Sequence, residues 1–241
     1  MSKMAEFIFD VDGTLTPSRE KMDLDFRAWF NSFCLFENVY IVTGSDRSKT
    51  IEQISEGSYN LCKRVYNCSG NDVWERGNLI RRSEWELPDE VWKHLETQLF
   101  ASKWGRLTGH HFDIRPGLLN FSVLGRNAST AQRKEYFEWD AGERQRESIA
   151  FALNYYFGEK YNIEAVVAGE TGIDIFQKGD DKSQVLKDFD SKDVIFFGDR
   201  TYKGGNDYSL ARLLPTKQVH QVKDWRETWE ILKTLTLGSQ Q

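Results

Sequence analysis

Three short segments of the chain are apolar at every position, and each stops abruptly at a polar residue or a glycine. They are Phe7-Ile8-Phe9 before Asp10, Val39-Tyr40-Ile41-Val42 before Thr43, and Val194-Ile195-Phe196-Phe197 before Gly198. Consecutive apolar residues are typical of strands buried on both faces, as in a parallel sheet covered by helices. Apolar residues at helical spacing follow the first two segments, through Phe26 to Phe33 and through Ile51 and Ile54. This alternation predicts an α/β fold with a parallel sheet.

The alternation of strand and helix is interrupted in the middle of the chain. Glu75-Arg76-Gly77-Asn78 has the chemistry of a hairpin turn, and the segment after it mixes helical and strand patterns less regularly. The alternation of strand and helix returns after Gly179. We therefore predict a discontinuous core domain of residues 1–78 and 180–241, with an α+β domain of residues 79–179 inserted into it.

Charge and composition argue against several classes of protein. The 241 residues include 32 Lys and Arg against 37 Asp and Glu, a formal net charge of −5, which disfavours nucleic-acid binding through an overall positive charge. No run of 18 apolar residues occurs, and Glu6 precedes any signal-like apolar segment, so we expect a cytoplasmic protein without a membrane span. The 3 cysteines form no CxxC pair, which indicates neither a disulfide framework nor a zinc site.

Two carboxylates stand where the first apolar segment ends. Asp10 and Asp12 are two residues apart, and Gly13 permits a turn that orients them. One carboxylate can attack phosphorus and form an aspartyl phosphate, while the second exchanges protons with the leaving and incoming oxygens. For this pair alone, a turn with incidental acids is the more common explanation.

Further polar clusters follow the other segments. Thr43-Gly44-Ser45 offers hydroxyls and backbone N–H groups where a helix begins, a place that favours anions, although Ser45 also suits an ordinary N-cap. Lys182 stands at the predicted start of a helix, where it can neutralise phosphoryl oxygens or be simply solvated. Asp199 and Asp207 supply the oxygen ligands that Mg²⁺ prefers.

In this order the clusters resemble the haloacid dehalogenase (HAD) superfamily of phosphotransferases, whose signature is a DxD motif, a Thr or Ser, a Lys and a late acidic pair. The resemblance implies a Rossmann-like parallel-sheet core with an inserted α+β cap. It implies that Asp10 is the nucleophile, Asp12 the general acid and base, and that Lys182 with Thr43 or Ser45 steadies the phosphoryl group. The residues implied to hold Mg²⁺ are Asp10, Asp12 through its backbone carbonyl, Asp199 and Asp207.

Three longer segments are similar to the eukaryotic-type phosphomannomutases: Asp10 to Arg19, Arg115 to Arg126, and Phe196 to Asp207. These enzymes interconvert mannose 6-phosphate and mannose 1-phosphate through a hexose 1,6-bisphosphate, and they supply GDP-mannose synthesis. The resemblance implies a phosphorylated hexose as substrate and a hexose 1,6-bisphosphate as activator. It also implies that residues 79–179 form a cap that closes over the core and forms the homodimer.

A hexose bisphosphate presents one phosphate to Asp10, and its other phosphate must be bound at a distance. The guanidinium group suits that task because its planar fork binds phosphate through two hydrogen bonds and stays charged. Surface arginines in weak ion pairs are the alternative, above all for Arg133. The substrate-binding residues that the resemblance implies are Arg19, Arg115, Arg126 and Arg133 for the phosphates, and Asp174 for the sugar hydroxyls.

The sequence departs from the family pattern at several positions. Gly172 stands where the family usually has Ser, and Thr43-Gly44-Ser45 replaces the common Gly-Gly-Ser, which is closer to the sugar-phosphate phosphatases of the superfamily. A Mg²⁺-dependent phosphomannomutase is the leading hypothesis. The alternatives are a Mg²⁺-dependent sugar-phosphate phosphatase, in which water accepts the phosphoryl group, and a binding protein that has kept the fold without the activity. Mannose and glucose phosphates both remain open as substrates.

Overall fold

The computed structural model describes residues 5–238. The chain divides into two compact units. Of the described residues, the first unit comprises 5–82 and 180–238, and the inserted unit is Ser83–Gly179. The first boundary lies after Arg82 rather than after Asn78, because the strand Asn78–Arg82 pairs with Asp72–Glu75 of the first unit.

The strands and helices of the described residues are as follows. The strands are β1 (Glu6–Phe9), β2 (Asn38–Val42), β3 (Arg64–Asn67), β4 (Asp72–Glu75), β5 (Asn78–Arg82), β6 (Phe112–Arg115), β7 (Leu118–Phe121), β8 (Ile163–Ala168), β9 (Gly172–Gln177), β10 (Val194–Gly198) and β11 (Val219–Gln221). The α-helices are α1 (Leu24–Phe36), α2 (Arg47–Ile54), α3 (Glu56–Leu61), α4 (Asp89–Phe100), α5 (Thr130–Glu143), α6 (Gln145–Phe157), α7 (Tyr208–Ala211) and α8 (Trp225–Gly238). Short 3₁₀ helices span Cys68–Gly70, Lys182–Asp188 and Thr216–Gln218. None of the helices within residues 5–238 is long and apolar enough to cross a membrane.

The first unit is built on a seven-stranded sheet with the order β11-β10-β1-β2-β3-β4-β5. The strands β11, β10, β1, β2 and β3 are parallel to one another, whereas β4 pairs antiparallel with both β3 and β5. Phe9 and Phe197 stack with ring centroids 4.9 Å apart in one apolar cluster, while Ile8 and Phe196 belong to the cluster on the opposite face. Burial on both faces explains the uninterrupted apolar runs, and the α/β fold with a parallel sheet is confirmed.

Strand register brings the polar residues that follow the central strands to one edge of this sheet. Phe9 of β1 lies opposite Phe197 of β10 and Ile41 of β2. Asp10 follows Phe9 directly, and its backbone N–H donates to the carbonyl of Phe197. The carboxyl ends of parallel strands are the usual place for ligands in open α/β sheets.

The inserted unit contains a four-stranded antiparallel sheet with the order β6-β7-β9-β8. Side chains alternate between its two faces. Residues on one face pack in an apolar cluster with α4 and α6; they include Leu119, Phe121, Ile173 and Ile175. The other face carries Asp113, Asn120 and Asp174, which lie directly opposite one another on β6, β7 and β9. A row of polar groups therefore crosses three strands.

Candidate active site

A buried lysine lies between two carboxylates at the carboxyl edge of the large sheet. Nζ of Lys182 lies 2.5 Å from Oδ1 of Asp10 and 2.6 Å from Oδ1 of Asp207. Lys182 begins a 3₁₀ helix, not an α-helix, and Asp181 caps it by accepting from the N–H of Ser183. Burial favours the neutral amine, but the charges of Asp10 and Asp207 outweigh it, so the pKa of Lys182 is raised. The lysine is therefore positively charged at neutral pH.

Three carboxylates in the same place could hold a cation. Asp10, Asp199 and Asp207 each offer an oxygen, and these oxygens lie within 4.8 Å of one another. Burial, followed by the charge of Asp207, raises the pKa of Asp10 well above its ordinary value and that of Asp199 to about 6. When ionised, the carboxylates outnumber the single ammonium of Lys182. This excess of buried negative charge and the all-oxygen donor set fit a hard divalent cation such as Mg²⁺.

Asp12 belongs to the same loop but its side chain has other partners. Its Oδ1 accepts from the backbone N–H of Arg19 at 2.5 Å and from Nε2 of Gln53 at 2.9 Å. Gly13 between the strand and the loop has φ of 77°, and a Cβ there would lie 2.5 Å from Oδ2 of Asp199. A side chain at position 13 would therefore disturb the acidic cluster as well as the turn. The side chain of Arg19 is exposed, and its backbone is left-handed, with φ of 63°.

Gln53 is a residue that sequence reasoning missed. It lies on α2 with only 2% of its surface exposed, and its Nε2 also approaches Oγ1 of Thr16 at 3.2 Å. Its backbone carbonyl accepts from the N–H of Met22 at 2.8 Å. The side chain and the backbone carbonyl of Gln53 thus form hydrogen bonds with both ends of the loop that carries Asp12. The signal in the sequence that could have found Gln53 is its place beside Ile54, on the apolar side of the predicted helix.

Thr43 and Ser45 follow β2. Thr43 is buried, and its Oγ1 accepts from the backbone N–H of Ser45 at 3.1 Å. The interpretation of Ser45 as the N-cap of the next helix is wrong, because Asp46 caps α2 by accepting from the N–H of Lys49. Both hydroxyl residues lie in the loop between β2 and α2, where an anion would meet backbone N–H groups.

The inserted unit has a second polar cluster on the face of its sheet opposite the apolar cluster. Nη2 of Arg115 and Nη2 of Arg126 both contact Oδ2 of Asp113, at 2.6 Å and 3.0 Å. Nη1 of Arg126 donates to Oδ1 of Asn120 at 3.2 Å, and Nδ2 of Asn120 donates to Oδ1 of Asp174 at 2.6 Å. Burial raises the pKa of Asp174 although Asn120, Arg115 and Arg126 act in the opposite sense.

Two members of this cluster were not predicted from the sequence. Asp113 stands two residues before Arg115, so strand alternation places both on one face, and this signal could have found it. Asn120 lies opposite Asp113 across β6 and β7, a relation that depends on strand register. Arg133 lies on α5, and its guanidinium donates to the backbone carbonyls of Ala128 and Arg126, so it braces the loop that carries Arg126.

Comparison with known proteins gives one consistent family. The model of the family described as eukaryotic phosphomannomutase matches residues 32–237. Phosphomannomutase 1 of Mus musculus is 32% identical over 214 residues, which cover 84% of this chain and 81% of that protein. A phosphomannomutase of Solanum lycopersicum is 30% identical over 241 residues and covers 96% of this chain and 94% of its own length.

Solved structures with the same fold superpose on this chain. A haloacid dehalogenase-like hydrolase from Bacteroides thetaiotaomicron superposes with a TM-score of 0.64, over 97% of this chain and 100% of that chain, at 12% sequence identity. The IMP-nucleotidase of Plasmodium falciparum superposes with a TM-score of 0.63 over 97% of this chain and 68% of that chain, at 16% identity. At these identities the likeness concerns the fold alone.

Proposed function

This chain belongs to the eukaryotic phosphomannomutase family, and from that membership we propose that it interconverts mannose 6-phosphate and mannose 1-phosphate by phosphoryl transfer through Asp10. The chain is thus an enzyme of the HAD superfamily. The observation that carries the proposed mechanism is the placement of Asp10, buried at the end of β1 with one carboxylate oxygen 2.5 Å from Nζ of Lys182. A charged lysine at that distance favours the ionised nucleophile, against burial and the charge of Asp207, which raise the pKa of Asp10, and it can neutralise phosphoryl oxygens.

The proposed reaction has two halves. In the first half, the free hydroxyl of a hexose monophosphate attacks the phosphorus of phosphorylated Asp10, Asp12 takes the hydroxyl proton, and the bond from phosphorus to the Asp10 oxygen breaks, which gives a hexose 1,6-bisphosphate. In the second half, an oxygen of Asp10 attacks the phosphate at the other position of the bisphosphate. The bond from that phosphorus to the sugar oxygen breaks, and Asp12 returns the proton to the leaving oxygen. Contacts from Gln53 and from the backbone of Arg19 hold Asp12 for both proton transfers.

The acidic cluster would hold Mg²⁺. Asp10, Asp199 and Asp207 would supply carboxylate oxygens, and Asp12 its backbone carbonyl. Bound there, Mg²⁺ supplies positive charge that offsets the negative charge of a transferring phosphoryl group. The excess of buried carboxylates over ammonium in this cluster supports the assignment.

The inserted unit would act as the substrate-specificity cap. Arg115 and Arg126 would bind the phosphate that is not reacting, Asp174 would bind sugar hydroxyls, and Arg133 would hold the loop of Arg126 in addition to any phosphate contact. Arg19 would contribute a further substrate contact from the first unit. A hexose 1,6-bisphosphate would serve as activator, because it leaves a phosphate on Asp10.

We also propose that the protein is a homodimer through this unit and works in the cytoplasm, supplying GDP-mannose synthesis. Large exposed apolar side chains on the inserted unit support an interface between copies; they include Phe100, Ile114, Phe151, Tyr155 and Tyr156. Sedimentation of the full chain at several concentrations tests the dimer, and a monomer at micromolar concentration contradicts it.

The experiment that tests the activity follows two products at once. The protein is incubated with mannose 1-phosphate, Mg²⁺ and a catalytic amount of hexose 1,6-bisphosphate, with glucose 1-phosphate in parallel, and hexose 6-phosphate and free phosphate are measured. Release of phosphate without isomerisation would favour the phosphatase, which Thr43 in place of the family's glycine also suggests. The D10N variant must lose both products, whereas D25N, at an exposed position of α1, must keep them.

A further inference from the structure

The loop between β3 and β4, residues 68–71, has an unusual backbone. Three consecutive residues, Cys68, Ser69 and Gly70, have φ of 49°, 59° and 101°. Residues other than glycine disfavour this left-handed region, so contacts must hold Cys68 and Ser69 there. Nδ2 of Asn71 closes the loop by donating to the carbonyl of Cys68 at 2.9 Å. The loop is therefore held in a defined shape.

Backbone N–H groups of this β3–β4 loop hold residues 43–45, which follow β2. The N–H of Ser69 donates to the carbonyl of Thr43 at 2.8 Å, and the N–H of Cys68 donates to the carbonyl of Ser45 at 3.0 Å. A trans peptide carries its N–H opposite its C=O, so these contacts also fix the direction of the amides that follow Thr43 and Ser45. The loop thus sets the orientation of the residues proposed to steady the phosphoryl group.

Two buried carboxamides connect the same loop to residues 180–184, the segment that carries Lys182. Nε2 of Gln184 donates to the carbonyl of Ser69 at 3.0 Å and lies 3.4 Å from Oδ1 of Asn71. Nδ2 of Asn71 also donates to the carbonyl of Asp180 at 3.1 Å. Asp180 and Gln184 stand two residues before and two residues after Lys182. The amides therefore hold the lysine segment on both sides of the lysine.

Gly70 allows the loop and the 3₁₀ helix of Lys182 to approach closely. A Cβ on Gly70 would lie 2.9 Å from Cγ of Gln184 and 3.1 Å from Cγ1 of Val185. Asn71 and Gln184 are 4% and 9% exposed, so water has little access to replace their hydrogen bonds. The separation of loop and helix is thus set by direct contact between buried groups.

We propose that Asn71 and Gln184 are positioning residues for phosphoryl transfer. Through the β3–β4 loop they couple the Lys182 segment to residues 43–45, so that the ammonium group and the donors of that segment keep a fixed separation. This inference rests on the proposed function in one respect, that both segments contact the phosphoryl group. Preorganised charge and donors act most strongly on the geometry of the transition state, so loss of the coupling should cost transition-state stabilisation more than ground-state binding.

The test compares an anion that imitates the transition state with one that does not. Orthovanadate takes up the trigonal bipyramidal geometry of phosphoryl transfer, whereas inorganic phosphate stays tetrahedral. Calorimetry with Mg²⁺ gives Kd of both anions for wild type, N71L and Q184M, which keep side-chain size and remove the amide. Each variant should bind orthovanadate about tenfold to a hundredfold more weakly and phosphate less than about twofold more weakly. The matched control is N60L, because Asn60 is exposed on α3.

The kinetics and a second substitution give independent readouts. In N71L and Q184M, kcat for mannose 1-phosphate should fall in parallel with the affinity for orthovanadate, while KM stays nearly constant. Q184E keeps the side-chain shape but offers no donor to the carbonyl of Ser69, so it should behave as Q184M does. In a K182M background, Q184M should cause no further loss of orthovanadate affinity, because the charge that it positions is absent.

Equal losses of affinity for both anions, an unchanged affinity for orthovanadate, or the same additional loss in the K182M background would overturn the proposal. A wild type that binds no orthovanadate would overturn it as well. A wild type that does not isomerise mannose 1-phosphate would refute the proposed mutase function alone, since the comparison of the two anions needs no turnover.

Discussion

Replacing Lys182 with methionine removes the charge that both Asp10 and Asp207 contact. Nζ of Lys182 lies 2.5 Å and 2.6 Å from these carboxylates, and the three side chains are at most 3% exposed. Methionine has a similar length but no charge. Removing one partner of a buried ion pair typically costs about 3–5 kcal/mol, because the remaining charge stays buried without compensation. For a chain of this size the expected fall in Tm is roughly 6–20 °C.

The cost should depend on pH in a defined direction. The raised pKa of Lys182 means that its contribution to stability is fully present at neutral pH and is lost only as pH rises through the folded-state pKa. The raised pKa values of Asp10 and Asp199 act in the opposite sense, since each ionised carboxylate costs stability above its unfolded pKa. Loss of the ammonium raises these acid pKa values further. The difference between wild type and K182M should therefore be largest near neutral pH and shrink toward about pH 4, where the carboxylates are protonated.

The measurement is urea or thermal unfolding of wild type and K182M across this pH range, first without divalent metal. K187M is the matched control, because Lys187 is exposed on the same 3₁₀ helix and its loss should change stability by less than about 0.5 kcal/mol. Added Mg²⁺ should narrow the difference in stability between wild type and K182M. Turnover of K182M should fall about 10²- to 10³-fold relative to wild type. A K182M protein as stable as wild type at pH 7, or a deficit that does not vary with pH, would refute the assigned charge balance.

Further predictions concern the same loop and cluster. Q53A should lower kcat and reduce the free energy of unfolding by about 1–3 kcal/mol, because it removes a hydrogen bond to the charged Asp12 carboxylate and leaves only the N–H of Arg19 on that oxygen; unchanged kinetics would contradict the positioning of Asp12 by Gln53. G13A should weaken Mg²⁺ binding, measured by calorimetry, because its Cβ would lie 2.5 Å from Oδ2 of Asp199; equal affinity would contradict this contact. Mg²⁺ affinity should rise as pH increases through about 6, since burial and Asp207 raise the pKa of Asp199 to about 6 and its proton must leave first. Calorimetry at constant ionic strength from pH 5 to 7.5 checks this, and an affinity independent of pH would exclude Asp199 as a titrating ligand.

Much of the first unit follows from local patterns in the sequence. An apolar run buried on both faces looks the same in any parallel sheet, so β1, β2 and β10 and the polar residues after them could be located directly. The polar residues that follow these strands are then predicted to lie near one another, because the carboxyl ends of parallel strands lie at the same edge of the sheet. The structure does bring Asp10, Asp199, Asp207 and Lys182 together. Their chemical roles stay proposals.

Other features depend on distances that no local pattern encodes. Gln53 reaches Asp12 across 41 positions of the chain, and Asn120 reaches Asp174 across 54. Which side chains meet at such separations is set by helix packing and strand register, and a shift of one residue would turn every side chain of a strand to the other face. The boundary after Arg82 likewise depends on the pairing of β5 with β4.

The sequence by itself determined the α/β class, the central strands β1, β2 and β10 and the residue types that gather where these strands end, because burial and alternation are properties of consecutive residues. Only the tertiary structure decided which of those residues form ion pairs and which glycine leaves room for a neighbouring side chain. It also decided which buried amides make hydrogen bonds to the acids and arginines. Those relations are contacts between distant segments, and their geometry exists only once the two sheets have formed.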